Sequence, residues 1–294
     1  MSIWKVTPQE SGIKLIAFLR SKLGPDYSLK FFKRALESNH CLINKRLQRF
    51  GTTTLGSGDI VDFQIEKAEN LNPIEKITPL TLYVDDDFVI IDKPSGVASD
   101  DLKLVKHLTA SFPHLELVHR LDKETSGALI FARNPSTFKS MVNLFRERKV
   151  KKKYLAIVDG VPKESQGVVK NYLAKLHTYQ GQSLWGQAPK EQGLLAITEW
   201  QVTSRGSDCA LVLCHPITGR THQIRVHLSG IGYPILGDKQ YSKMTRSNYQ
   251  PNRCLLHALE ISFPHPHSSK MISVNSPLPK DFLNAIQMLN LKHA

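Results

Sequence analysis

The spacing of short apolar runs from about residue 78 onward constrains this chain most. Residues 88–91, 128–132, 154–158, 196–202 and 211–214 are largely apolar and of strand length, and turns rather than regular long helices separate them. Such runs read as strands. Strands without a regular alternation of crossover helices argue against a doubly wound parallel sheet. The pattern predicts an α+β fold built on a mixed or antiparallel sheet. The Gly- and Gln-rich stretch 180–193 is expected to be an exposed loop.

The front of the chain reads differently. Residues 14–50 carry nine Lys/Arg against two acids, whereas residues 71–101 carry seven acids against Lys76 and Lys93. The reversal, with the polar, Pro-containing stretch Glu69-Asn70-Leu71-Asn72-Pro73, predicts a small module over 1–70 and a larger domain over 71–294. Ser11 is placed to cap a helix over 12–23, with Ile16, Leu19 and Leu23 on one face and Gly24 at its end. Ser28 can cap a second helix with Leu29, Phe32 and Leu36 inward. Short strands are expected near 41–44 and 60–65, the second after a Gly58-Asp59 turn.

Composition narrows the partner. The 294 residues hold 39 Lys/Arg and 26 Asp/Glu, a net charge of +13. A basic balance of this size points to a polyanion, most often nucleic acid. No apolar run approaches the ~18 residues of a membrane-spanning helix, and the start, MSIWKVTPQES, does not read as a signal peptide. Cys41, Cys209, Cys214 and Cys254 lack metal-ligand spacing and read as reduced cytoplasmic thiols. With no P-loop, no G-x-G-x-x-G after a strand and no H-E-x-x-H, neither a cofactor nor a metal is expected.

Three polar clusters could carry chemistry. His119-Arg120-Leu121-Asp122-Lys123-Glu124-Thr125-Ser126-Gly127 lies in a turn before a strand. Turn formers alone account for much of it. In the second cluster, 218–228, Arg220 and Arg225 can bind phosphate or fix a carboxylate. Read as a helix, it has Thr221 as its cap and Ile224 and Leu228 as an apolar pair. His222 and His227 are badly spaced for one metal. The third, 145–154, has six basic residues beside Tyr154, which suits a solvated edge or phosphate contacts next to a stacking aromatic.

Taken together, these segments resemble the RluA family of pseudouridine synthases. The resemblance rests on HRLDKETSG with ALIFAR, KYLAIVDG, GRTHQIRVHL, GYPILGD, and RCLLHA with FPHP, in the family's order. It departs at Lys93-Pro94-Ser95-Gly96-Val97-Ala98-Ser99-Asp100, where a histidine usually follows the small-apolar pair. The front module resembles an S4-type RNA-binding domain and matches its Gly58-Asp59-Ile60-Val61 ending. Residues 38–44 lack the usual glycine and valine.

The resemblance implies isomerisation of uridine to pseudouridine, without cofactor or metal. It implies Asp122 as the carboxylate at C1′ or C2′, Arg225 as its cation, and Tyr154 as the ring stacked on uracil that helps remove the C5 proton. Arg120 would enter the space left by the flipped base, with His119, Arg220, His222 and Gln223 on the RNA side. A cytoplasmic monomer acting on 23S-type ribosomal RNA is expected, with transfer RNA as the alternative substrate. Two other readings remain at this point. One is a glycosidase-like hydrolase using Asp122 and Glu124; the other is a non-catalytic RNA-binding protein.

Overall fold

The structure is a computed structural model that describes residues 2–24, 27–65, 79–179, 182–242, 246–268 and 270–292. The chain divides into two compact units, Met1–Ile77 and Thr78–Ala294. The expected linker at 69–73 lies outside the described residues.

The first unit contains β1 (Ser2–Lys5), α1 (Leu15–Leu23), α2 (Leu29–Glu37), β2 (Cys41–Ile43), β3 (Arg46–Leu47) and β4 (Ile60–Phe63). Its strands pair in the order β1-β4-β2-β3. Phe18, Leu19, Phe32, Leu36 and Phe63 bury together beneath them. Ser28 caps α2 as expected, its Oγ accepting from the Phe31 N–H at 3.2 Å.

Two expectations fail here. α1 starts at Leu15 rather than near 12, because residues 13–14 stay extended to bridge residues 54–55. Ser11 instead follows a short 3₁₀ turn, Pro8–Glu10. Leu29 is 47% exposed, so the inner face of α2 is carried by Phe32 and Leu36 without it. Asn44 and Lys45 both take positive φ in the β2–β3 turn, as a two-residue hairpin loop of right-handed twist requires. Asn44 then donates to Asp59 at 2.8 Å and accepts from the Ile60 N–H at 2.9 Å, fixing the Gly58-Asp59 turn.

The second unit holds β5 (Leu80–Val84), β6 (Phe88–Lys93), α3 (Leu102–Thr109), β7 (Glu116–Leu117), β8 (Ser126–Ala132), α4 (Pro135–Arg146) and β9 (Lys151–Asp159). β10 (Gln166–Tyr179), β11 (Gln182–Gln187), β12 (Leu194–Arg205), β13 (Cys209–Pro216), α5 (Gln223–Gly230), β14 (Leu256–Pro264), β15 (Met271–Asn275) and α6 (Lys280–Met288) follow. Among the described residues the sheet has the order β11-β10-β12-β13-β9-β14-β8-β6-β5, with β15 on β14 and β7 on β8. The β14–β8 pair is parallel and the other described pairs are antiparallel, so the sheet is mixed.

Every apolar run named above falls in a strand. Stretch 180–193 is not a loop throughout: 182–187 form β11 and pair with β10 over Leu173–Tyr179. The long strand β10 supplies an edge that this short polar segment can satisfy with backbone hydrogen bonds, whatever its composition.

β9 lies near the middle of the sheet, with Tyr154 opposite Cys214 on one side and Ala258 on the other. Its basic run is therefore only partly a solvated edge. Lys153 pairs with Glu260 across to β14 at 2.8 Å. Lys152 donates to the Thr218 carbonyl at 3.3 Å, and burial with the nearby Arg220 charge pulls its pKa down to about 8. At Gly127, φ is +115° and a Cβ would run into the Ala258 backbone. Glycine thus permits the parallel contact of β8 with β14. That contact brings the 253–258 segment alongside the 119–127 loop.

Candidate active site

Asp122 lies in the loop between β7 and β8, which is braced from two sides. The 93–99 turn supplies one brace. The buried Lys93 ammonium donates to the carbonyls of Pro94 and Val97, both at 2.9 Å, and of Lys123 at 3.4 Å. Burial pulls its pKa down to about 7 against the raising influence of Asp122. The Ser99 hydroxyl bonds both the N–H and the carbonyl of Leu121 at 2.9 Å. The second brace is 253–258. There the Cys254 N–H donates to Glu124 Oε2 at 3.1 Å, and Ser126 Oγ meets His257 Nδ1 at 2.9 Å. Glu124 is thereby tied to backbone, apart from the cation that meets Asp122.

That cation is Arg225, in the first turn of α5. Its Nη1 donates to Asp122 Oδ2 at 3.3 Å. Its Nε and Nη2 make a bidentate pair with Asp238, at 2.8 and 2.9 Å, and Nη2 also reaches Gln240 Oε1 at 3.2 Å. Asp238 is 2% exposed and also accepts from the N–H groups of Gln240 and Tyr241 and from the Cys254 thiol. Burial by itself would raise its pKa; the Arg225 hydrogen bonds and charge overcome this and hold it below the usual carboxylate range. Burial likewise works against the charge on Arg225, and Asp238 outweighs it. The guanidinium is thus a fixed, permanently charged clamp that presents its Nη1 edge to Asp122.

Asp238 and its neighbours were not singled out from the sequence. Their signal was the quoted GYPILGD motif. Gly237 has φ +78°, and a Cβ there would strike the Arg253 carbonyl, so only glycine lets the chain turn and bury Asp238 at this point.

The remaining predicted residues divide. Arg120 is on the surface, its side chain 69% exposed and 3.3 Å from Asp100, in the segment where the motif departs. Tyr154 sits on β9 within reach of the Asp122 charge. Burial first, and that charge second, raise its pKa, so the ring stands as a neutral phenol. His222 caps α5 in place of Thr221, in the left-handed conformation at φ 55°. Its Nδ1 meets the Tyr241 hydroxyl at 2.8 Å and its Nε2 lies 3.9 Å from Asp122 Oδ1.

His119 Nε2 and the polar atoms of Gln223 face the protein. Gln223 is 4% exposed. It bonds Thr218 Oγ1 and the Arg220 N–H through Oε1, and Ile197 O and Thr198 Oγ1 through Nε2. His119 accepts the Ile130 N–H at 3.2 Å and packs on Phe145. Burial and the charge of Lys152 take its pKa down to about 3. Arg220 Nε donates to the Leu195 carbonyl at 3.0 Å. These three set the shape of the loop and of the start of α5.

Among the described residues, one group comes close enough to hold a metal: Asp87, His265 and His267. His265 Nδ1 accepts the N–H groups of His267 and Ser268, so the ring proton sits on Nε2, facing Asp85 and Asp87 at 3.4 and 3.3 Å. That is a donor aimed at carboxylates, not a lone pair offered to a cation. Among the described residues no helix is long and apolar enough to cross a membrane.

Related proteins are found by sequence and by structure. The sequence model of a family described as RNA pseudouridylate synthase matches residues 87–230. Ribosomal large subunit pseudouridine synthase C of Vibrio vulnificus is 32% identical over 95% of this chain and 93% of its own. The Escherichia coli K12 protein of the same name is 30% identical over 98% and 97%. The solved structure of human RNA pseudouridylate synthase domain containing 4 superposes with a TM-score of 0.62 at 30% identity, covering 72% of this chain and 94% of that one.

Proposed function

The chain belongs to the RluA family of RNA pseudouridine synthases, and on that footing we propose that it isomerises uridine in large-subunit ribosomal RNA with Asp122 as the reacting carboxylate. The observation that carries the assignment is the Asp238–Arg225–Asp122 array. A buried carboxylate fixes a guanidinium, which holds one oxygen of a second, partly exposed carboxylate. The reaction breaks the N1–C1′ bond, turns the base and joins C5 to C1′, with no net oxidation. Arg225 on Oδ2 leaves Oδ1 available to attack C1′ or to take the 2′ proton. Tyr154, a neutral phenol, serves as the platform on which uracil stacks and turns. The names of the large-subunit relatives favour ribosomal over transfer RNA.

The unit Met1–Ile77 is read as an S4-like RNA-binding module, supported by its helix–helix–strand order, the Gly58-Asp59 turn and its basic residues. The same reading places the enzyme in the cytoplasm as a monomer, consistent with four buried free cysteines. RNA affinity should then fall steeply with salt, with each phosphate contact adding about −0.7 to −0.9 to the log–log slope. Titration of labelled large-subunit RNA fragments from low to high salt checks this, and a flat affinity would contradict an RNA substrate.

A base inside structured RNA has to leave its stack to react. Arg120, exposed at the tip of the loop, is placed to occupy the gap. Arg120→Ala should slow modification in a structured RNA more than in a flexible strand of the same sequence, measured as single-turnover rates. Equal slowing on both would move Arg120 into the chemistry itself.

The two-carboxylate hydrolase lacks its second group, since Glu124 is bound to the Cys254 N–H. In Glu124→Gln the amide oxygen can still accept that bond. The variant should keep its rate within about threefold, the equivalent of a neutral hydrogen bond's weakening. A wild type that releases free uracil, together with a dead Glu124→Gln, would restore the hydrolase.

A further inference from the structure

His222 and Tyr241 form a second polar arrangement beside Asp122 that the reaction as described leaves unused. The Tyr241 hydroxyl oxygen accepts the Trp185 N–H at 3.1 Å and lies 2.8 Å from His222 Nδ1. With that acceptor position filled, the phenol proton goes to Nδ1, so the imidazole carries its own proton on Nε2. The Asp122 carboxylate favours the same tautomer. Nε2 faces Asp122 Oδ1, and a lone pair aimed at a carboxylate would be repelled where an N–H is attracted. Burial, with the Arg225 charge assisting, keeps the ring below its ordinary pKa and neutral.

The 3.9 Å between Nε2 and Oδ1 is too long for a direct hydrogen bond. It is the span that one hydroxyl oxygen bridges with two bonds of about 2.8 Å meeting at about a right angle. Such a hydroxyl would accept from Nε2–H and donate to Oδ1. Both side chains keep some solvent exposure, 17% for His222 and 23% for Asp122, so a ligand can reach them. The pyrimidine nucleotide whose C1′ lies at Oδ1 carries one hydroxyl next to that carbon, on C2′.

Resting on the pseudouridine synthase reading, we propose that His222 is the residue that recognises the 2′-hydroxyl of the target nucleotide, and that Tyr241 is the positioning residue that fixes its tautomer. The pair makes the site selective for ribose over deoxyribose at the reacting position. This is a hydroxyl-recognition role distinct from the clamping of Asp122 by Arg225.

The test measures affinity without turnover, in the Asp122→Asn background. The ligands are two versions of the RNA fragment around the uridine that the wild-type enzyme modifies, with uridine or 2′-deoxyuridine at that position. The ribose form should bind about three- to tenfold tighter, the effect of one buried neutral hydrogen bond. Adding His222→Leu should bring the ratio to within about twofold of unity. His222→Gln, which keeps a neutral N–H donor of similar reach, should preserve it. Tyr241→Phe, which keeps the ring over Arg225, should reduce the ratio and serves as the second arm if His222→Leu does not fold. A purely structural role would weaken both RNAs alike. An unchanged ratio in His222→Leu and Tyr241→Phe, or a ratio of one already in Asp122→Asn, overturns the proposal while leaving the enzyme's function standing. A wild-type protein that forms no pseudouridine in any RNA removes the function and the inference together.

Discussion

Asp122→Asn should reduce pseudouridine formation to background while the fold and RNA affinity stay near wild type. The substitution preserves shape, and Asn suits the turn. The residue's backbone carbonyl still accepts the Thr125 N–H, and Arg225 keeps its bidentate partner Asp238. The loss is the anionic oxygen. An amide neither attacks C1′ nor takes a 2′ proton, so both routes to the isomer close together. Single-turnover release of tritium from RNA carrying 5-tritiated uridine measures the chemistry. Stability should fall by no more than about 1 kcal/mol, because the half-buried side chain keeps its shape and Arg225 keeps Asp238 as its charged partner. Residual activity of even a few per cent would place the reacting group elsewhere.

The second large effect belongs to Asp238, which touches no substrate in this account. Asp238→Asn leaves the Arg225 guanidinium buried with an uncharged partner, and turns one amide N–H toward an arginine N–H. Removing one charge of a buried, bidentate pair costs about 3 kcal/mol or more, which for a domain of this size lowers Tm by about 6–12 °C. Activity should fall further than stability explains. Once released, Arg225 has Asp122 as its remaining carboxylate and closes on it, covering the oxygens that must react. A misplacement of about 1 Å costs about a hundredfold in rate. Assays well below the lowered Tm separate the two effects. A variant that melts early but turns over normally at low temperature would reduce Asp238 to a structural role.

The elements legible in the sequence were those whose signal is local. The strand runs at 88–91, 128–132, 154–158 and 211–214 announce themselves by continuous apolarity, and 196–202 by apolar residues interleaved with Thr198, Glu199 and Gln201; each is a strand. Ser28 was legible because an N-cap is a matter of three residues. Asp122 and Arg225 could be paired only through the family resemblance, since the loop and α5 meet through the tertiary fold.

What the sequence left hidden depends on distant partners. α1 begins late because residues 13–14 are claimed by residues 54–55. β11 exists because β10 offers an edge, despite a loop-like composition. His119 and Gln223 are polar and sit in the signature motifs, so they read as RNA contacts. Their atoms are instead taken up by Ile130, Thr198 and other neighbours inside the protein. Asp238 was hidden for the opposite reason: an acid after a glycine looks like an ordinary surface turn until burial gives it Arg225.

The central claim is that this chain makes pseudouridine in large-subunit ribosomal RNA through Asp122. The most direct test is transcriptome-wide pseudouridine mapping in cells deleted for this chain and complemented with the wild type or Asp122→Asn. The account predicts that one or a few positions of large-subunit RNA lose the modification on deletion, regain it with the wild type and do not regain it with Asp122→Asn. Large-subunit positions that all persist in the deletion strain, or that return with Asp122→Asn, would contradict it.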